Sequence, residues 1–106
     1  MNDSDVKALH IETMRHEDLE AVLEIENASF PTPWSRQLFI EELQNHRSRI
    51  FLLRSPLHGP DALKAYVCLW LVEDEAHILN LAVNPLCRRQ GMAATVLYYA
   101  LDYSFK

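Results

Sequence analysis

Two adjacent apolar segments, separated by three acidic residues, constrain the fold of this chain more than any other feature. The first segment, residues 65–72, is apolar at every position, which is typical of a strand covered on both faces. The second, residues 76–83, follows after only Glu73, Asp74 and Glu75. A connection this short indicates an antiparallel pair, because parallel strands need a crossover of a dozen residues or more. The sequence therefore predicts an antiparallel hairpin whose first strand is central in its sheet.

Hydrophobic periodicity and turn residues predict the other elements around this hairpin. Alternating apolar and polar residues indicate strands, and apolar residues at a spacing of three and four indicate helices. Pro31 disfavours a helical residue before it, and Ser35 can cap the helix that follows. We predict strands over residues 9–14, 50–54, 65–72 and 76–83, helices over residues 16–30, 35–46 and 92–105, and a loop over residues 55–61. The order β-α-α-β-β-β-α belongs to the α+β class.

Composition restricts the possible functions. A length of 106 residues predicts a single domain, residues 1–106, and a net charge of −5 argues against a general nucleic-acid binder. The polar start of the chain does not resemble a signal peptide, and no apolar stretch approaches the ~20 residues that span a bilayer. We therefore expect a soluble, cytoplasmic protein without a membrane segment. Cys68 and Cys87 lack the spacing of a metal site; we expect a core residue at Cys68 and a free loop thiol at Cys87.

The segment most informative about chemistry is the basic loop between the last strand and the last helix. The first N–H groups of a helix have no intrahelical partner, and together with the helix dipole they favour an anion. Gly91 lets the backbone approach that anion closely, while Ala93 and Ala94 keep the start of the helix small. Arg88 and Arg89 add positive charge, although a merely solvated basic loop is the alternative. The loop therefore predicts recognition of a pyrophosphate.

These residues also carry a resemblance to a known family. Residues 88–93, Arg-Arg-Gln-Gly-Met-Ala, match the R/Q-x-x-G-x-G/A signature of GNAT (acyl-CoA N-acyltransferase) proteins. Residues 25–30 and 33–35 are similar to the first helix and corner of the ribosomal-protein-alanine acetyltransferases, the RimI-like group, as are residues 74–77 and 80–83. The resemblance covers residues 9–106. It implies the N-terminal part of a GNAT fold, with a mixed, mostly antiparallel sheet flanked by helices.

The resemblance implies acetyl-CoA as co-substrate, no metal, and a site made largely of backbone groups. Leu81, Ala82 and Val83 would face the pantetheine arm, with the Val83 amide polarising the thioester carbonyl. The pyrophosphate would be held by Arg89, Gln90, Gly91, Met92, Ala93 and Ala94. An amine, implied to be the N-terminal alanine of a small-subunit ribosomal protein, would attack the thioester directly.

The family's fold continues beyond the part that this chain matches, and its proposed general base (Glu) and acid (Tyr) lie in the later part. No position up to Lys106 corresponds to them, so the catalytic residues are unknown and we expect a C-terminally truncated domain. A strand edge left open near residues 79–83 could bind a partner or a second copy of the chain. A non-catalytic CoA-binding or assembly module is therefore an alternative to the enzyme, and a small-molecule amine is an alternative acceptor.

Three further side chains are candidates for contact with the acceptor or for catalysis. Glu26 and Trp34 lie near the proline-rich corner where the acceptor would approach, although a helix carboxylate is usually solvated and an aromatic residue at a corner often packs in the core. His77 could act as a base, but a histidine near a turn is more often simply solvated.

Overall fold

A computed structural model describes residues 9–56, 59 and 62–105. The predicted order of elements is confirmed. The four strands are β1 (His10–Thr13), β2 (Ser48–Arg54), β3 (Leu63–Val72) and β4 (Glu75–Val83), and the three α-helices are α1 (Leu19–Ser29), α2 (Arg36–Gln44) and α3 (Met92–Ser104). Short 3-10 turns occupy His16–Asp18 and Pro85–Cys87. Part of the loop predicted over residues 55–61 lies outside the described residues.

The strands form one antiparallel sheet in the order β1-β2-β3-β4. Val72 pairs with Glu75, so only Glu73 and Asp74 connect β3 to β4, and the predicted hairpin is confirmed. Glu73 has φ 55°, a conformation that this tight turn imposes at some cost on a residue with a Cβ. Within the part of the chain that the structure describes, no strand pairs with the outer edge of β4.

Helices cover both faces of the sheet, and the alternation of side chains along the strands separates two cores. On β3, Tyr66 and Cys68 face the core beneath α1 and α2, whereas Ala65, Val67 and Leu69 face the core beneath α3. All seven residues from Leu63 to Leu69 are buried, as expected for a central strand. The last three residues of β3 are only half-buried, so the prediction of a fully covered strand is wrong at that end.

The ends of the helices follow from local chemistry. The side chain of Ser35 accepts a hydrogen bond from the Leu38 N–H (3.1 Å), which confirms the predicted cap of α2. The extended conformation of Phe30 ends α1 immediately before Pro31. Phe39 of α2 is fully buried between the rings of Trp34 and Tyr66, with centroids 5.2 and 6.2 Å away.

A β-bulge divides β4 into two parts. Cys68 pairs with Asn80 and Leu69 with Ile78, so Leu79 is an extra residue opposite β3. Before the bulge, Ala76 packs in the core beneath α3; after it, Leu81 and Val83 do. The side chains that face a given layer therefore change from even to odd positions at Leu79, and this turns Asn80 and Ala82 toward α1.

Cys87 corrects the prediction of a loop thiol. The 3-10 turn places it in the core beneath α3 with only 2% of its surface exposed, because the turn folds back over the sheet instead of extending into solvent. Cys68 is a buried core residue, as predicted, and its side chain lies 3.5 Å from the Ser48 hydroxyl. None of the described helices combines the length and apolar character needed to cross a membrane.

Both thiols should therefore resist modification while the chain is folded. Burial raises the pKa of the Cys68 thiol to about 11, so at pH 8 this group is almost entirely protonated as well as inaccessible. We expect both cysteines to react with a chromogenic disulfide reagent at least about 100-fold more slowly in buffer than in 6 M guanidinium, because reaction requires local opening. Rapid modification of either thiol in buffer would contradict the burial of both side chains.

Candidate functional site

The loop that leads into α3 has an unusual backbone. Arg89 and Gly91 both have positive φ, 65° and 74°, on either side of Gln90. Gly91 is the N-cap of α3 and has open space where a Cβ would project, because apart from its own neighbours along the chain no heavy atom lies within 4 Å of that position. A glycine is favoured here because L-residues with side chains rarely adopt this conformation. A loop that alternates between left-handed and other conformations can direct successive N–H groups into a concavity, which is a common arrangement at anion sites.

The start of α3 also differs from the start of α2 in how its N–H groups are used. The Ser35 side chain caps α2, whereas no side chain caps α3. The first bond of α3 runs from the Thr95 N–H to the Gly91 carbonyl at 3.1 Å. The N–H groups of Met92, Ala93 and Ala94 precede that bond and so have no partner within the helix. These donors and the positive end of the helix dipole can bind an anionic group.

The two arginines of the loop have different roles. The Arg88 guanidinium donates to the Ser29 hydroxyl at 3.2 Å, which ties the loop to the end of α1. Arg89 and Gln90 are exposed, whereas Met92, the first residue of α3, is buried in the core between that helix and the sheet. Of the loop side chains predicted to bind a cofactor, Arg89 and Gln90 are therefore accessible, while Met92 offers its backbone only.

The end of β4 presents backbone groups along its outer edge. The Asn84 N–H donates to the Lys64 carbonyl of β3 at 2.8 Å. Because N–H groups alternate along a strand, that of Ala82 also faces β3, whereas those of Leu81 and Val83 face the outer edge. The Asn80 side-chain oxygen accepts the Leu81 N–H at 3.1 Å. Of Leu81, Ala82 and Val83, Val83 is thus the residue whose N–H faces the outer edge and is not bonded to a side chain.

Glu26 does not lie in solvent, as an ordinary helix carboxylate would. It is 1% exposed, and its carboxylate accepts three hydrogen bonds from three different parts of the fold. The donors are the Trp34 N–H at 2.8 Å, the Asn80 side-chain amide at 2.7 Å and the Tyr66 hydroxyl. We call Glu26, Trp34, Tyr66 and Asn80 the Glu26 cluster. Burial, followed by the hydrogen bond to Glu26, raises the pKa of Tyr66 well above its usual value, so this hydroxyl stays protonated as a donor.

Tyr66 and Asn80 are not among the site residues predicted from the sequence. A signal was present, because each is a polar group within an otherwise apolar strand and a buried polar group needs a partner. What the sequence could not supply is the bulge at Leu79, which turns Asn80 to the side of Glu26. Trp34 is half-buried and packs against the core beneath α1 and α2. Its side chain therefore has the packing role that was the alternative to contact with the acceptor.

The other candidates lie away from the loop. His77 is exposed and 3.0 Å from Glu75, roughly 20 Å along the strand from Val83. Tyr98, Tyr99 and Tyr103 of α3 are exposed, and Tyr103 packs edge-on against Phe51. Among the described residues, no group of three or more His, Cys, Asp or Glu side chains could hold a metal ion.

A cavity of about 310 Å³ lies between α1 and the end of β4. Its lining is mostly apolar and includes Ile25 and Ala28 of α1, Leu63 of β3, and Pro85 and Leu86 of the 3-10 turn. None of the residues predicted to bind acetyl-CoA lines it. The cavity and the predicted cofactor site therefore share no residue.

Two bacterial proteins are similar to this chain in sequence. One, from Bacillus subtilis (strain 168), is provisionally named [ribosomal protein bS18]-alanine N-acetyltransferase and is 33% identical over 93 residues, which are 87% of this chain and 59% of that protein. The other is the ribosomal-protein-S18-alanine N-acetyltransferase from Escherichia coli, which is compared through its crystal structure. It is 29% identical with a TM-score of 0.75 over 90% of this chain and 58% of that one. The chain thus spans less than two thirds of the length of either protein.

The fold is shared more widely. A structure of Arabidopsis thaliana NAA60 in complex with acetyl-CoA superposes with a TM-score of 0.72 at 19% identity, over 91% of this chain and 67% of that one. Residues 19–106 match the acetyltransferase (GNAT) family, and this match includes α1, the Glu26 cluster and the complete loop before α3. The chain belongs to the acetyltransferase (GNAT) family.

Proposed function

We propose that this chain binds acetyl-CoA and forms part of an N-acetyltransferase domain that modifies the N-terminal alanine of a small-subunit ribosomal protein. The observation that carries the proposal is the uncapped start of α3, with Gly91 at φ 74° and open space beside it. The similarity to proteins named for acetylation of ribosomal protein bS18 supports the choice of acceptor. The cell compartment would be the cytoplasm, where ribosomal proteins are available.

The pyrophosphate would lie at the start of α3. The N–H groups of Gly91, Met92, Ala93 and Ala94 supply directional donors, and exposed Arg89 and Gln90 close the site from the loop. Arg88 would contribute mainly by holding the loop against Ser29. Backbone donors fix the position of a phosphate more rigidly than a flexible guanidinium can, since they cost no side-chain entropy. We therefore expect Gly91 to be more important for binding than either arginine.

The acetyl-CoA arm would run along the outer edge of β4. Val83 offers its N–H to the thioester carbonyl, and Leu81 offers its carbonyl, because its own N–H is engaged by Asn80. An N–H directed at the carbonyl oxygen stabilises the negative charge that develops when a neutral amine attacks. The amine would displace the thiol of CoA directly, and positioning of amine and thioester would supply much of the rate enhancement. No described residue is assigned as general base or acid.

A specific observation supports the alternative of a non-catalytic assembly module. The outer edge of β4 has no strand partner among the described residues, and Ile78 and Leu79 on it are 44% and 37% exposed. Such an edge can pair with a second copy of the chain or with another polypeptide. The two functions share the same fold and differ in whether an acetyl group is transferred.

Binding of acetyl-CoA should stabilise the folded chain. A ligand at about 100 times its Kd adds about 2.7 kcal/mol to the free energy of unfolding, which raises the Tm of a domain of this size by roughly 10 °C or more. Gly91→Val should remove this increase, because the side chain fills the open space and strains the left-handed backbone. The measurement is the difference in Tm with and without acetyl-CoA for each variant, which separates binding from any lower Tm of the variant alone.

Two further variants serve as controls for this experiment. Gly91→Asn adds a side chain but tolerates the left-handed conformation better, so it should also lose most of the response if the ligand occupies that space. Arg36→Ala removes an exposed arginine from the start of α2, a helix that Ser35 already caps, and should keep the full response. A wild-type chain whose Tm is unaffected by millimolar acetyl-CoA would refute the proposed cofactor site.

Acetyl transfer itself should be tested with a peptide that begins with alanine. If the chain is catalytically competent, we expect release of CoA and a mass increase of the peptide at its N-terminus, and no acetylated form of the protein, because transfer is direct. A peptide with an already blocked N-terminus is the matched control. Stabilisation by acetyl-CoA without transfer, together with self-association in sedimentation velocity, would favour the assembly module over the enzyme.

A further inference from the structure

We propose that Glu26 is a positioning residue that acts through Asn80 to fix the end of β4 for the acetyl-CoA arm. This inference rests on the proposed function, since it assigns a role at the same site. Glu26 would contact neither the cofactor nor the acceptor. Its place in the Glu26 cluster would determine how well the backbone of Leu81 and Val83 fits the ligand.

The first observation is that the carboxylate of Glu26 joins three elements that are far apart in sequence. One of its oxygens accepts from the Trp34 N–H at the corner before α2. The other accepts from the Tyr66 hydroxyl on β3 and the Asn80 amide on β4. All three donors converge on the carboxyl group of this one side chain. The carboxylate therefore holds the corner and the two strands in one geometry.

The second observation is that Asn80 transmits this constraint to the backbone. Its amide nitrogen donates to Glu26 at 2.7 Å, while its oxygen accepts the Leu81 N–H at 3.1 Å. An asparagine side chain could be reversed, but a carboxylate only accepts, so contact with Glu26 determines which end of the amide faces Leu81. The orientation of the Leu81 peptide, on the edge where the arm would bind, thus depends on Glu26.

Burial argues against direct contact between Glu26 and an incoming amine. The residue is 1% exposed, and its neighbours in the Glu26 cluster enclose it between α1, the corner and the sheet. The same enclosure suits positioning, because a group buried among fixed partners transmits small displacements instead of absorbing them.

The test compares two ligands that share a diphosphate but differ in the arm. ADP probes the loop before α3, whereas acetyl-CoA probes both the loop and β4. We expect Glu26→Leu, which keeps much of the side-chain volume but accepts no hydrogen bond, to raise the Kd for acetyl-CoA about tenfold and to leave that for ADP within about twofold of wild type. Isothermal titration calorimetry, at a temperature well below the Tm of every variant, measures both constants.

A double-mutant cycle identifies the route through Asn80. Asn80→Ala should raise the Kd for acetyl-CoA by a similar factor, and the double variant should be no weaker than the single ones, because both changes break the same connection. An increase of about a hundredfold in the double variant would mean independent effects and would overturn the inference. Glu42→Gln is the matched control: this carboxylate accepts the Trp70 ring N–H at 3.0 Å in the same layer but is not bonded to β4, so both constants should stay unchanged.

The outcomes separate this inference from the proposed function. If wild type binds neither ligand, the proposed function fails. If wild type binds both and Glu26→Leu leaves the two constants unchanged, or raises them equally, the positioning role is overturned and the cofactor site stands. Should Glu26→Leu fail to fold, Glu26→Gln replaces it; a rise of at least about threefold for acetyl-CoA alone is then expected, and its absence overturns the role.

Discussion

The burial of β3 on both faces is the constraint on which the rest of this structure depends. Its side chains supply the centre of both cores, so α1 and α2 must cover one face and α3 the other. The two-residue turn after β3 then leaves β4 no other place than beside it. Because β4 lies at the edge of the sheet and ends beneath the start of α3, an open strand edge and an uncapped helix meet at the proposed cofactor site. The site is thus a consequence of packing, and few specialised side chains are needed to form it.

The loop before α3 illustrates how a backbone can be suited to an anion before any ligand is present. The left-handed conformation is unfavourable for Arg89 but not for Gly91, and together these two residues turn the chain so that α3 begins with N–H groups that no side chain caps. A capping serine like Ser35 would stabilise the helix but would use one of these donors. In contrast to α2, the missing cap of α3 leaves these donors available to the proposed ligand.

Local chemistry made much of the fold predictable from the sequence. Ser35 as a cap, Pro31 after α1 and the acidic turn after β3 each act within a few residues, so a linear reading suffices to find them. The predicted loop was identified in the same way, from a glycine and two alanines at the start of a helix. Its proposed ligand contacts remain predictions, since they depend on a molecule that the chain alone does not contain.

The features that the sequence did not reveal depend on contacts between distant segments. Cys87 looks like a loop residue until the 3-10 turn folds it under α3, and Glu26 looks solvated until Trp34, Tyr66 and Asn80 surround it. The partners of Glu26 are 8, 40 and 54 residues away. Periodicity reports which face of an element is apolar, but it does not report which polar group on one element meets which on another.

The bulge at Leu79 has a consequence for how this chain can vary. The extra residue allows the two halves of β4 to keep different registers against β3. If the ladder continued without a bulge and Leu79 stood opposite Cys68, Asn80 would face α3, Leu81 would face α1 and the Val83 amide would point toward β3. A chain lacking Leu79 would instead keep Asn80 opposite Cys68 and Ile78 opposite Leu69 in one regular ladder. The orientation of the last residues of β4 is thus set by which residue stands opposite Cys68, and the strand could become one residue shorter at Leu79 without changing it.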